Sequence, residues 1–164
     1  MKRYLQQSLL MMSLLGASLG TAHADTAADS VDVQHVLDAY HEAVISHDGA
    51  RLAALFLPGG VWLNVLSDDT YAAAKVKSPE AQKIRVGSYA DFAHLVTNAK
   101  GSFNPTHTNM TISSDGTIAS VYFDFVFLVD GKAQNRGSEA WQLVKGSEGW
   151  RIAAISYSSH PPLP

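Results

Sequence analysis

Apolar and polar positions alternate most regularly near the C-terminus, where 118–128, 134–145 and 150–158 read as three long β-strands. They are joined by Asp130-Gly131 and by Gly146-Ser147-Glu148-Gly149. Asp-Gly tolerates the positive φ that tight hairpins demand, so the chain is expected to end in an antiparallel meander. Upstream the period becomes helical. Val33, Val36, Leu37, Tyr40, Val44 and Ile45 recur on one helix face, with Asp29 or Ser30 placed to cap the start and Gly49 to follow the end. A second helix over 50–57 presents Leu52, Leu55 and Phe56, and Pro58-Gly59-Gly60 stops it. A strand over 61–66 places Trp62, Asn64 and Leu66 on one face. Ser88 is expected to cap a third helix, 89–99, and 106–113 reads as a further strand. Helices early and strands late predict an α+β domain with the helices on one face of the sheet. Residues 67–87 show little periodicity. A loop of that length is either a lid over a pocket or a plain excursion, with room for a turn of helix at 72–74 and a short strand at 83–86.

The first residues change the picture of where this domain works. Lys2 and Arg3, an apolar stretch over 9–19 and Ala22-His23-Ala24 make the three parts of a secretory signal peptide. Eleven apolar residues cover only about half a bilayer at roughly 1.5 Å per residue, so no membrane anchor is expected. The chain has no cysteine, which excludes both a lipoprotein anchor and a disulfide framework. The organisation expected is a signal peptide over 1–24, a disordered leader over 25–30 and one domain over 31–160, exported to the periplasm or beyond after cleavage near Ala24. Cleavage would remove two bases and no acid, leaving ten Lys and Arg against fifteen Asp and Glu, a formal charge of −5. Mild acidity without a basic stripe argues against nucleic acid as a partner. The closing Pro161-Pro162-Leu163-Pro164 is expected to fray.

Two segments, YHEAVISHDGARLAALF (40–56) and EAWQLVKGSEGWRIAAISYS (139–158), together with the order of elements, make the chain resemble the nuclear-transport-factor-2-like superfamily, in its SnoaL-like and ketosteroid-isomerase-like branch. The resemblance implies a cystatin-like α+β barrel: a strongly curved antiparallel sheet wrapped around three N-terminal helices into an open cone. The isomerases of that branch use a helix-one tyrosine as oxyanion donor, a first-strand aspartate as proton shuttle and a protonated late-strand aspartic acid as second donor. By resemblance the tyrosine corresponds to Tyr40, the shuttle to Asn64 and the second acid to Ala140. An asparagine has no basicity near neutral pH, so classical ketosteroid isomerisation is not expected. Dehydratase-like relatives pair a helix-one aspartate with a strand histidine; Ile45 stands at the first position and His107 at the second. Thr108, Met110 and Ile112 form the more apolar parity of that strand, which turns His107 outward unless a bulge intervenes.

The same alignment puts Phe123, Phe125, Phe127, Ser138, Ala140, Gln142, Ile155 and Tyr157 inside the cone. Tyr122, Asp124, Glu139, Trp141, Leu143, Trp150 and Ile152 fall outside. The ligand-binding residues expected are Tyr40, Trp62, Asn64, Phe123, Gln142 and Tyr157, whose aromatic and few polar groups suit a pocket. An outer face carrying Trp141, Leu143, Trp150 and Ile152 predicts a homodimer through the sheet. His35, His41 and His47 recur every six residues and do not align for a metal, and His41-Glu42 lacks the second histidine of a zincin helix. No metal or cofactor is expected. The function expected is an exported domain that binds a small, largely apolar or aromatic ligand without transforming it. The alternative is a cofactor-independent isomerase, dehydratase or hydrolase using the same pocket.

Overall fold

The computed structural model of the chain describes residues 21–162, and the side chains of 27–162. Helix α1 (Thr21–Ile45) is followed by α2 (Gly49–Ala54), β1 (Phe56–Leu66), α3 (Asp68–Lys77), β2 (Ile84–Gly87), α4 (Tyr89–Asn98), β3 (Phe103–Ser114), β4 (Ile118–Val129), β5 (Lys132–Gly146) and β6 (Gly149–Ser159). The strands form a six-stranded sheet in the order β2-β1-β6-β5-β4-β3. The α+β class and the closing meander are as expected. Two features of the expected architecture are corrected. The sheet is mixed rather than antiparallel, because β1 runs parallel to β6, Trp62 opposite Ile155 and Asn64 opposite Tyr157. There are four helices among the described residues rather than three, since α3 forms inside the unperiodic 67–87 segment, capped by Ser67 Oγ accepting from Thr70 N.

Helix α1 lays Val33, Leu37, Tyr40, Ala43 and Val44 against the sheet, all buried. The signal-peptide expectation falls largely on residues 1–20, outside the described residues. Residues 25–30, expected as a leader, are helical, and Asp29 is only 5 % exposed, its Oδ1 receiving Lys145 Nζ of β5 at 2.6 Å. That ion pair ties α1 to the end of β5, and because the helix already begins at Thr21 neither Asp29 nor Ser30 is a cap. At the other end His47, not Gly49, takes the left-handed conformation, with φ of 61°. Gly49 instead opens α2 where that helix crosses α4; a Cβ there would lie 2.1 Å from the Ala93 carbonyl oxygen. Only glycine fits. Ser88 caps α4 as expected, accepting from Ala90 N and Asp91 N.

Two irregularities decide which side chains face inward. Directly paired residues share a face of a sheet, so burial and register together fix the parity. Val121 pairs with Trp141 and Phe123 with Glu139, and Trp141 pairs with Ile155; Phe123, Trp141 and Ile155 are all essentially inaccessible. Glu139, Trp141 and Leu143 therefore point into the core, together with Trp150 and Ile152, and the expected outer apolar patch does not exist. Ser138, Ala140 and Gln142 face out instead, and Gln142 Oε1 accepts from Ser120 Oγ across the outer surface. A register shift between Gln142 and Leu143 then lets both Ile152 and Ile155 of β6 face inward. The second irregularity lies in β3. The pairing with β4 jumps between Thr108 and Thr111, and Asn109 sits at φ of 54°. That bulge lets Pro105 and His107 before it, and Met110 and Ile112 after it, all turn toward the helices.

Candidate functional site

The helices and the inner sheet face enclose a cavity of about 230 Å³. Tyr40 from α1, Trp62 from β1, Phe92 and Leu95 from α4, Pro105 and His107 from β3, Phe125 and Phe127 from β4, Asn135 and Glu139 from β5 and Tyr157 from β6 line it. A cavity of ~150 Å³ admits benzene, and drug-sized ligands need roughly 300 Å³ or more. This one suits a single substituted ring.

Of the expected ligand-binding residues, Tyr40, Trp62 and Tyr157 line the cavity together. Phe123 is fully buried behind it, its ring tilted against His107 at 4.6 Å and edge-on to Trp141 at 5.5 Å between ring centroids. Asn64 lies on the inner face of β1, outside the lining, and its Nδ2 is a buried donor with no partner among the described residues. Gln142 belongs to the opposite surface and is no part of the site. His107, expected outward, faces the cavity because of the bulge.

Glu139 is the residue that sequence reasoning missed. Its carboxylate sits within the aromatic core, Oε2 accepting from the Trp141 indole N–H at 2.6 Å. Burial raises its pKa from the ordinary 4.5 to about 7, against the lowering effect of that hydrogen bond. The ring of Tyr40 meets Trp141 edge-on at 4.8 Å, so phenol and carboxyl flank the same indole. The Tyr40 hydroxyl is held well above the usual phenol range by burial first, then by the Glu139 and Tyr157 charges it would meet on ionising. Tyr157 is raised by burial as well, with a hydrogen bond from Trp62 and the Arg85 cation pulling the other way and Glu139 adding to the rise. His107 is lowered to about 4 by burial and by His41, whose ring lies 5.8 Å away.

At neutral pH the cavity thus presents a carboxyl poised between its two protonation states, two neutral phenols and a neutral imidazole. A group with a pKa near the working pH both takes and returns a proton efficiently, and a buried phenol is a hydrogen-bond donor for developing negative charge on oxygen. Among the described residues no group of three or more His, Cys, Asp or Glu is arranged to hold a metal ion. Asp124, which invites a catalytic reading from sequence, lies on the outer face, where Asn109 Nδ2 and Ser138 Oγ donate to it and lower its pKa.

A cone of mixed sheet and helices with its cavity between them defines the chain as having the nuclear-transport-factor-2-like, cystatin-like fold. It is similar to a protein of that fold and unknown function from Shewanella baltica, at 17 % identity over 83 % of this chain and 97 % of that one, with a TM-score of 0.58. It is similar too to a Streptomyces avermitilis member provisionally named a dehydratase, at 18 % identity over 84 % of this chain and 99 % of that one, with a TM-score of 0.61. A Novosphingobium aromaticivorans protein provisionally named a scytalone dehydratase matches at 14 % identity over 84 % and 88 %, with a TM-score of 0.61. At such identities the likeness is one of fold. No family model matches the chain, and none of the curated proteins matches it in sequence.

Proposed function

We propose that this domain is a cofactor-independent proton-transfer enzyme acting on a small ring compound, of the isomerase or dehydratase kind. The observation that carries it is the carboxyl of Glu139 inside a ring-sized cavity shared with the Tyr40 hydroxyl. Glu139 takes a proton from carbon beside a carbonyl and returns it elsewhere, while Tyr40 donates a hydrogen bond to the oxygen on which charge develops. Glu139, one residue before Ala140 on the same strand, thus takes the shuttle role that Asn64 cannot fill. A binding module without turnover is the second reading, favoured by Asn64, which has no basicity at the position of the isomerase shuttle.

The test is deuterium exchange of cyclohex-2-enone in D₂O, followed by proton NMR, beside its binding followed by tryptophan fluorescence. Wild-type protein should accelerate exchange; Glu139→Gln should abolish it, and Tyr40→Phe should slow it about 10²-fold or more. Binding with no exchange above buffer would leave the binding module. Absence of both would remove the pocket from either reading.

We further infer export, on the Lys2, Arg3 and 9–19 pattern, to be checked by fractionation and N-terminal sequencing for a start near Asp25. No helix among the described residues is long and apolar enough to cross a membrane. Self-association through the outer sheet face is also part of this reading, now on different residues. Val61, Ile84, Val86 and Tyr122 are each about half or more exposed there. Val86→Lys should convert a dimer to a monomer in size-exclusion light scattering.

A further inference from the structure

One row of directly paired residues crosses the inner face: Arg85 opposite Asn64, Asn64 opposite Tyr157, Tyr157 opposite Glu139, and Glu139 opposite Phe123. It runs from the sheet edge at β2 to the deep core. A guanidinium, an amide, a phenol, a carboxyl and an aromatic ring follow one another along it. Tyr157 and Glu139 line the cavity, and Asn64 and Arg85 continue the row beyond that lining to the exposed sheet edge, its outer rim.

The cation at the rim is not engaged elsewhere. Arg51 pairs with Glu42, Arg136 Nε donates to the Pro161 carbonyl, and Arg151 reaches Glu148 and the Ala54 carbonyl. Arg85 has no ion pair or hydrogen bond of this kind among the described residues, though its charge is felt at the Tyr157 hydroxyl. Its Cα stands two strand spacings from that of Tyr157, roughly 10 Å, a gap an arginine side chain largely spans. Between the two is Asn64, whose Nδ2 is enclosed and lacks an acceptor. The inner parity of these residues follows from Trp62, which lines the cavity two positions before Asn64 on the same strand, whereas Leu63 and Val86 share the outer face. A carboxylate is the group that would satisfy the free guanidinium.

We propose that the substrate class is a small ring compound bearing a carboxylate, with the carboxylate held by Arg85 at the sheet edge and the ring lying against Tyr157 and Glu139. This rests on reading the cavity as the substrate site and adds the charge that the substrate carries. The orientation follows directly. The anion stays at the wet rim, and the reacting carbon reaches the buried acid without bringing a second negative charge beside it.

Benzoate and its neutral counterpart benzamide test this by binding alone, with no need for turnover. Titrations followed by tryptophan fluorescence or calorimetry should show benzoate bound about tenfold more tightly than benzamide. Arg85→Gln should erase that preference by weakening benzoate only, and Arg85→Lys should restore part of it. Arg85 is exposed at a sheet edge, so both variants should fold, which circular dichroism checks. Glu139→Gln should keep the preference, which separates this inference from the proton-transfer reading. Equal binding of the two probes, or a benzoate preference that survives Arg85→Gln, overturns the anion site while leaving the cavity intact. Failure of both probes to bind overturns the anion site and the cavity reading together.

Discussion

A carboxyl kept protonated by its surroundings makes folding depend on pH in a direction opposite to that of most acidic residues, and Glu139 should show it. Its ordinary pKa of 4.5 applies in the unfolded chain, and about 7 applies in the folded one. Between those values the folded state binds the extra proton, so stability falls as pH rises. The contribution is fully present below about pH 4.5 and is lost as pH passes through about 7. At about 1.4 kcal/mol per pH unit, the displacement amounts to about 3 kcal/mol over the whole window. Glutamine keeps the shape and still accepts the Trp141 indole N–H, but it cannot ionise. Urea unfolding of wild type and Glu139→Gln should therefore be measured from pH 5 to 8.5 and compared as a difference, in which the other titrating groups cancel. The variant should gain on wild type by about 2.5 kcal/mol across that range, the rest having been lost below pH 5. A gap that stays constant with pH would refute the buried, poised carboxyl and with it the proton-transfer chemistry.

Three further outcomes follow from other parts of the structure. His107 is lowered from 6.5 to about 4, so the unfolded state holds more protons in that interval and stability falls as pH drops through it; His107→Phe should flatten this acid limb in thermal melts. Asp29→Ala removes the partner of Lys145 from a largely enclosed position, and should cost roughly 1–3 kcal/mol in chemical denaturation. Gly49→Ala drives a methyl group to 2.1 Å from the Ala93 carbonyl oxygen and 2.2 Å from Thr97 Oγ1, and should destabilise by about 3 kcal/mol or more, read as a drop in Tm.

Much of this architecture was legible because its signals were local. The Asp130-Gly131 turn, the Ser88 cap and the apolar stripe of α1, apart from the exposed Ile45, each act over a few residues and appear where expected. The sheet faces were misjudged for a nonlocal reason. Trp141 and Leu143 alternate with Gln142 and Val144, so the strand's own pattern already marks the indole and leucine as core. The alignment borrowed through Ala140 lay one residue off, and with a period of two a single slip inverts every side chain. Glu139 was lost to the same slip. The inward turn of His107 depended on a bulge, for which Asn109, a residue tolerant of left-handed backbone, was the only local hint. Tyr40 was found because its helix follows the family pattern without a gap through Asp48, and the parallel β1–β6 pairing was missed because no turn residue signals it.

The inserted residue between Thr108 and Thr111 means that chain length, as much as chemistry, decides which groups the throat contains. At the present length strict alternation would give Met110 and Ile112 the inner parity and His107 the outer one, whereas deleting Asn109 would give simple alternation with all three inward. When proteins of this architecture are compared, a histidine at the matching column counts as equivalent only if the number of residues separating it from the next regular pair is the same.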